Sequence, residues 1–163
     1  EVISNFDVIG PRVIIDYAHT PDALKNSLSE LKSHDVSSVW IVFGCGGDRD
    51  QGKRSEMGEI ASKYADHVIL TNDNPRTESP SKIIADIQKN IKGRVTIELD
   101  RAQAIKMAIR SAKKTDTVLI SGKGHENYQL IGEKQTFFSD KLQAETILGE
   151  LEISKSELKG CIA

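Results

Sequence analysis

The chain predicts an α/β fold: a Rossmann-like, mostly parallel sheet with helices on both faces and an antiparallel edge hairpin near the C-terminus. Three observations carry that expectation. Short β-branched runs alternate with segments whose apolar residues recur every three or four positions, the βαβ rhythm that produces right-handed crossovers. Four of the five runs are apolar throughout, as in strands covered on both faces. After the fifth run the rhythm breaks into two extended segments flanking Gly132 and Glu133, the pattern of a hairpin.

Taken in order, Val13 to Ile15, Val39 to Phe43, Val68 to Leu70, Val95 to Ile97 and Val118 to Ile120 read as buried strands. The first helix has Thr20 as N-cap, Pro21 at its first position and Leu24, Leu28 and Leu31 at helical spacing. Met57, Ile60, Ala61 and Tyr64 form the apolar face of the second. Ser79 and Pro80 open the third, which carries Ile83, Ile84, Ile87 and Ile91 and which Gly93 can end. Asp100 and Gln103 resemble a capping box ahead of Ala104, Ile105, Ala108 and Ile109. Tyr128 to Ile131 and Gln135 to Phe138 form the hairpin, and Leu142, Ile147, Leu148 and Leu151 mark a last helix. The two ends read as loose.

With 163 residues the chain reads as one domain, 1–163, long enough to bury about two-thirds of the surface its unfolded form exposes. Lys and Arg number 22 against 24 Asp and Glu, so no basic field marks a nucleic-acid binder. Cys45 and Cys161 lie too far apart in sequence for a disulfide framework or metal site to be expected, and His34 and His67 offer no metal spacing. No apolar run approaches a membrane span, and residues 1–12 lack a signal-peptide layout. These features together lead us to expect a cytoplasmic monomer with no metal of its own.

Three polar motifs follow strand-like runs directly: Gly44 to Arg49, Asp73 to Arg76, and Ser121 to Glu126. In an open parallel sheet such loops leave one edge together and can build one pocket. Arginines, carboxylates and bare backbone there would suit a ligand bearing both carboxylate and ammonium groups. The segment Gly47 to Lys53 nearly spells a phosphate-binding P-loop, yet Arg54 stands where Ser or Thr must hold Mg²⁺, and Asp48 and Asp50 would oppose phosphates. The dinucleotide fingerprint fails too, with Arg49 in place of its third glycine. Asp16 at a strand end and His19 before a helix N-terminus could face a nucleotide. Taken singly, each motif also has a plain reading as a turn or a solvated loop.

The stretches DYAHTPDAL, VFGCGGDRDQGKR, TNDNPRTE and ISGKGHENYQ together resemble, nearly letter for letter and in order, the C-terminal domain of Mur ligases of the diaminopimelate-adding type. The resemblance runs from about Val13 to the last helix. It implies an ATP-dependent amide ligase of peptidoglycan synthesis, acting on UDP-MurNAc-L-Ala-D-Glu, whose C-terminal domain of three presents meso-diaminopimelate. ATP and Mg²⁺ would be held mainly by a central domain carrying a true P-loop, so this domain alone is expected to have no catalytic residues and no activity. Residue by residue, the resemblance makes Asp73, Asn74, Pro75 and Arg76 the amino-acid recognition motif, with Arg76 setting specificity. It assigns Arg49 to a ligand carboxylate, Gly122 and Glu126 to the distal ammonium, and Asp16 and His19 to the approach of ATP. Alternatives are a lysine-adding or other Mur ligase, or an amino-acid-binding module without chemistry.

Overall fold

Valine, isoleucine and leucine runs of four or five residues can bury both faces only inside a sheet layered with helices, and the computed structural model shows that arrangement. It describes residues 1–4, 10–33 and 37–160; His34 and Cys161 lie outside them. Among the described residues the elements run β1 (Val2–Ser4), β2 (Arg12–Asp16), α1 (Pro21–Ser33), β3 (Val39–Phe43), α2 (Gly52–Tyr64), β4 (His67–Leu70), α3 (Pro80–Gln88), β5 (Thr96–Ile97), α4 (Arg101–Ser111), β6 (Thr117–Ser121), β7 (Tyr128–Ile131), β8 (Lys134–Phe137) and α5 (Asp140–Gly160). Six strands form one sheet in the order β1-β2-β6-β3-β4-β5, parallel except where β1 meets β2.

The period-two alternation of side chains divides the core. Val39, Ile41 and Phe43 of β3 point to one face, where Leu24, Leu28, Met57, Ala61, Ile84 and Ile87 from α1, α2 and α3 cover them. Val42 points to the other, with Val13, Ile15, Val118 and Ile120, under Ile105 and Ala108 of α4 and Ala144 and Ile147 of α5. Helices therefore lie on both faces, as expected.

The structure refines several expectations. The hairpin forms, but β7 and β8 make a separate two-stranded sheet, joined to the loop after β4 by a bridge between Arg76 and Ile131. The antiparallel edge of the main sheet is instead β1, in a segment that reads as loose by sequence. β5 is two exposed residues rather than a buried strand, because it is outermost and pairs only with β4. α3 stops at Gln88, and Ile91 packs on the core from the turn that follows. Asp100 caps α4 by accepting from the backbone of Ala102 and Gln103, while its own N–H donates to Glu98 rather than to Gln103. Thr20 caps α1 weakly, accepting from Ala23 N at 3.4 Å, and Ser79 makes no side-chain cap at all.

The candidate functional site

Asp16 pairs with Ser121, and Phe43 with Leu70, so β2, β6, β3 and β4 end level with one another. Their following loops must share one edge. There they enclose a cavity of about 570 Å³ whose walls include Arg49, Asp73, Asn74, Arg76, Gly122 and Glu126, together with His19 and Lys53. Six of the seven residues expected to bind substrate thus meet in one space. Pro75 is buried behind it; its carbonyl backs onto Gly47. Asp16 does not line the cavity, because its carboxylate turns toward α1 and accepts from Ser27 Oγ and from Tyr17 N.

The first and second loops are laced through backbone. Gly47 N donates to Asn74 O at 2.9 Å, and Arg76 Nη1 returns to Gly47 O at 2.8 Å. A side chain on Gly47 would put its Cβ 1.9 Å from Pro75 O, so only glycine permits this approach. Gly122 has φ +116° and lies where a Cβ would meet the Asp73 carboxylate at 2.8 Å, a second place that admits no side chain. Arg76 itself holds φ +52° and Asp48 +53°, a left-handed conformation that costs roughly 1–2 kcal/mol for a residue with a Cβ. What holds them is visible: Arg76 N donates to Leu130 O and Gly132 N to Arg76 O, while the Asp48 carboxylate accepts from the backbone and hydroxyl of Thr77.

Buried ion pairs support the rim from behind. Arg54 is fully buried, and its guanidinium donates to Glu78, Asp86 and the Gly46 carbonyl. That pairing pulls the Glu78 carboxyl down to about 2, chiefly through the Arg54 hydrogen bond and next through Asp48 N–H. Arg101 and Asp140, both inaccessible, meet in a bidentate pair at 2.7 and 2.8 Å, and Arg101 also donates to Asn72 O and Ser121 O beneath the second and third loops. Cys45 sits in the cavity wall with its thiol pushed up to about 12 by burial, which makes it an inert wall atom rather than a nucleophile.

Four backbone N–H groups of the P-loop-like segment are already committed: Gly47 to Asn74 O, Asp48 to Glu78, Gly52 to Asp50, and Arg54 to Gln51 O. The side chain at the Mg²⁺-binding position is the buried Arg54, so this chain does not fit a triphosphate and its metal.

The charges left over define what can enter. Arg49 makes no hydrogen bond or ion pair among the described residues, and the Asp73 carboxylate accepts no hydrogen bond there. Opposite charges without partners in one cavity match an ampholyte, a guanidinium for its carboxylate and carboxylates for its ammonium groups. Lys53, whose ammonium donates to His19 O at 2.6 Å, and the buried Lys123 were not singled out by sequence reasoning. The only signal for Lys123 was its place between Gly122 and Gly124, which does not name a partner.

An open, mostly parallel sheet whose carboxyl edge carries a cavity lined by both guanidinium and carboxylate groups defines the class: a Rossmann-like α/β domain. The chain belongs to the family described as Mur ligase, glutamate ligase domain, whose model matches residues 1–124. It is 52% identical over 140 residues to the UDP-N-acetylmuramoyl-L-alanyl-D-glutamate–2,6-diaminopimelate ligase of Prochlorococcus marinus, covering 85% of this chain and 28% of that protein. The like-named ligase of Coxiella burnetii is 51% identical over 140 residues, covering 85% of this chain and 29% of that protein. A solved ligase of that name superposes with a TM-score of 0.87 at 43% identity, covering 93% of this chain and 31% of that one. A murein peptide ligase from Psychrobacter arcticus shares the fold, with a TM-score of 0.63 at 21% identity over 91% of this chain and 29% of that one. The chain therefore spans less than a third of the length of the curated relatives it matches. No helix among the described residues is long and apolar enough to cross a membrane.

Proposed function

We propose that this chain is the amino-acid-presenting C-terminal domain of a three-domain, ATP-dependent ligase that joins meso-diaminopimelate to the glutamate of UDP-MurNAc-L-Ala-D-Glu in peptidoglycan synthesis. The single observation behind this reading is the cavity in which Arg49 and Asp73 stand without hydrogen-bonding partners beside Arg76 and Glu126. Diaminopimelate carries two carboxylates and two ammonium groups. Arg76, anchored by Nη1 on Gly47 O, offers a guanidinium fixed in direction, and Glu126, held by Asn74, offers a fixed acceptor. In the reaction the glutamate carboxylate becomes an acyl phosphate, and the amino acid's amine displaces phosphate from it. This domain's part is to bind and aim the amine. ATP and Mg²⁺ fall to the rest of the enzyme, with His19, which lines the cavity, assigned to the approach of ATP. The enzyme is read as a cytoplasmic monomer, where its soluble nucleotide substrates are.

Specificity follows from desolvation. Lysine lacks the second carboxylate, so its entry leaves a guanidinium facing nothing, and a charge-assisted hydrogen bond of roughly 1.5–3 kcal/mol is forgone. In the full-length enzyme Arg76→Ala is expected to lower kcat/KM for diaminopimelate by roughly ten- to a hundredfold or more while the weak use of lysine changes little. Steady-state kinetics with both amino acids check this. Equal losses for the two would remove Arg76 as the discriminator.

A further inference from the structure

Lys123 is a buried cation that the proposed reaction does not use. Its side chain is wholly inaccessible, and its ammonium donates to Asn74 Oδ1 and to Tyr128 O, each at 2.8 Å. A third partner, Glu126 Oε2, lies 3.8 Å away. Asn74 is buried as well, and its Oδ1 accepts a second hydrogen bond from Leu130 N at 3.0 Å.

These contacts fix the orientation of one amide. An ammonium has three donors and no acceptor, and a backbone N–H is also a donor, so the Asn74 atom facing both must be oxygen. Flipping the carboxamide would set its NH₂ against two donors in a buried site. The Nδ2 group is thereby forced outward, where it donates to Glu126 Oε2 at 3.1 Å. Glu126 lines the cavity and is the acceptor assigned above to the ligand's ammonium.

We infer that Lys123 is a positioning residue for amino-acid binding, acting through the Asn74 carboxamide to hold the Glu126 carboxylate in place at the cavity wall. Burial lowers the Lys123 pKa, and the nearby Asp73 carboxylate opposes that shift. This inference rests on the ligase reading, with the amino acid occupying the cavity.

The test is a double-mutant cycle in the full-length enzyme, reading KM for diaminopimelate, KM for ATP and kcat. Lys123→Met is expected to raise KM for diaminopimelate about tenfold or more, with KM for ATP unchanged within about twofold. In a Glu126→Gln background the same change should shift KM for diaminopimelate by less than about twofold, because the group it positions is gone. Multiplying effects in the double variant, or a loss of kcat at constant KM, would mean that Lys123 only supports the fold and would overturn the proposal. Should Lys123→Met not fold, Asn74→Asp keeps shape and gives Lys123 an anionic partner while turning the donor toward Glu126 into an acceptor. It is expected to raise KM for diaminopimelate at least tenfold, and an unchanged KM there refutes the positioning chain. A wild-type enzyme that turns over no ATP in response to diaminopimelate would remove the ligase reading, and this inference with it.

Discussion

Replacing Arg101 with methionine would strand the Asp140 carboxylate at zero exposure and free the carbonyls of Asn72 and Ser121. Breaking a buried pair from one side costs about 3–5 kcal/mol, whereas replacing both members by apolar groups is often close to neutral. We expect Arg101→Met to lose about that much in urea unfolding, and Arg101→Met with Asp140→Leu to recover most of it. A double variant as unstable as the single one would show that the backbone acceptors, not Asp140, carry the cost. At this scale the sequence was legible where a polar residue directly follows a strand: Arg49, Asp73, Asn74, Arg76, Gly122 and Glu126 all reach the cavity that their chain positions implied. It was not legible for Arg54 or Arg101. Each sits on a helix, where a charge reads as solvated, and their partners lie 24, 32 and 39 residues away. Only the folded chain brings those carboxylates to them. Asp16 shows the converse, since a strand-end position says where a residue sits but not which way its side chain turns.

Helices declared themselves by spacing, because burying a face of an amphipathic helix requires leucines and isoleucines three and four apart. Edge elements did not. Val2–Ser4 is three residues long and gains its strand conformation from pairing with β2, and β5 is shorter still. Neither holds enough apolar surface to leave a periodic trace. The loops between elements depend on tighter tolerances than the elements do, and Gly47 is the sharpest case. A Cβ there lies 1.9 Å from Pro75 O and 2.7 Å from Pro75 C, both backbone atoms that cannot rotate away. Gly47→Ala must therefore push the first and second loops apart, moving the carbonyl that anchors Arg76. We expect a stability loss of about 1–3 kcal/mol, as for other overpacked sites. A displacement near 1 Å in a substrate-positioning group can cost about a hundredfold in rate. The two readouts are thermal melting and kcat/KM for diaminopimelate in the full-length enzyme. Unchanged kinetics in a folded variant would mean that the contact between the two loops does not set the position of Arg76.

At the scale of the whole molecule, the face of the sheet under α1, α2 and α3 is tied to the cavity rim through a carboxylate that titrates far from its usual range. Glu78 accepts from Arg54 on α2 and from Asp48 in the first loop, while Asp86 on α3 takes the other side of the same guanidinium. The folded-state pKa of Glu78 is about 2 against an ordinary 4.5, so its ionised form is favoured by folding. A carboxyl lowered in this way contributes stability that is fully present above the unfolded value and is lost as pH falls toward the folded one. Asp86, held down by Lys89 and then Arg54, and Glu150, held down by Arg110 and then Lys106, shift in the same direction. The melting temperature should therefore hold level from neutral pH to about 5 and decline between about pH 4.5 and 2. Glu78→Gln mimics the protonated side chain at every pH. Its deficit relative to wild type should be largest near neutrality, narrow below pH 4.5 and close by about pH 2, as followed by circular dichroism melts in matched ionic strength. A deficit that stays constant to pH 2 would assign the role of Glu78 to shape and hydrogen bonding. A closing deficit would show that one ionised carboxylate couples two helices and the glycine-rich loop, and that acid loosens the cavity rim together with the fold that carries it.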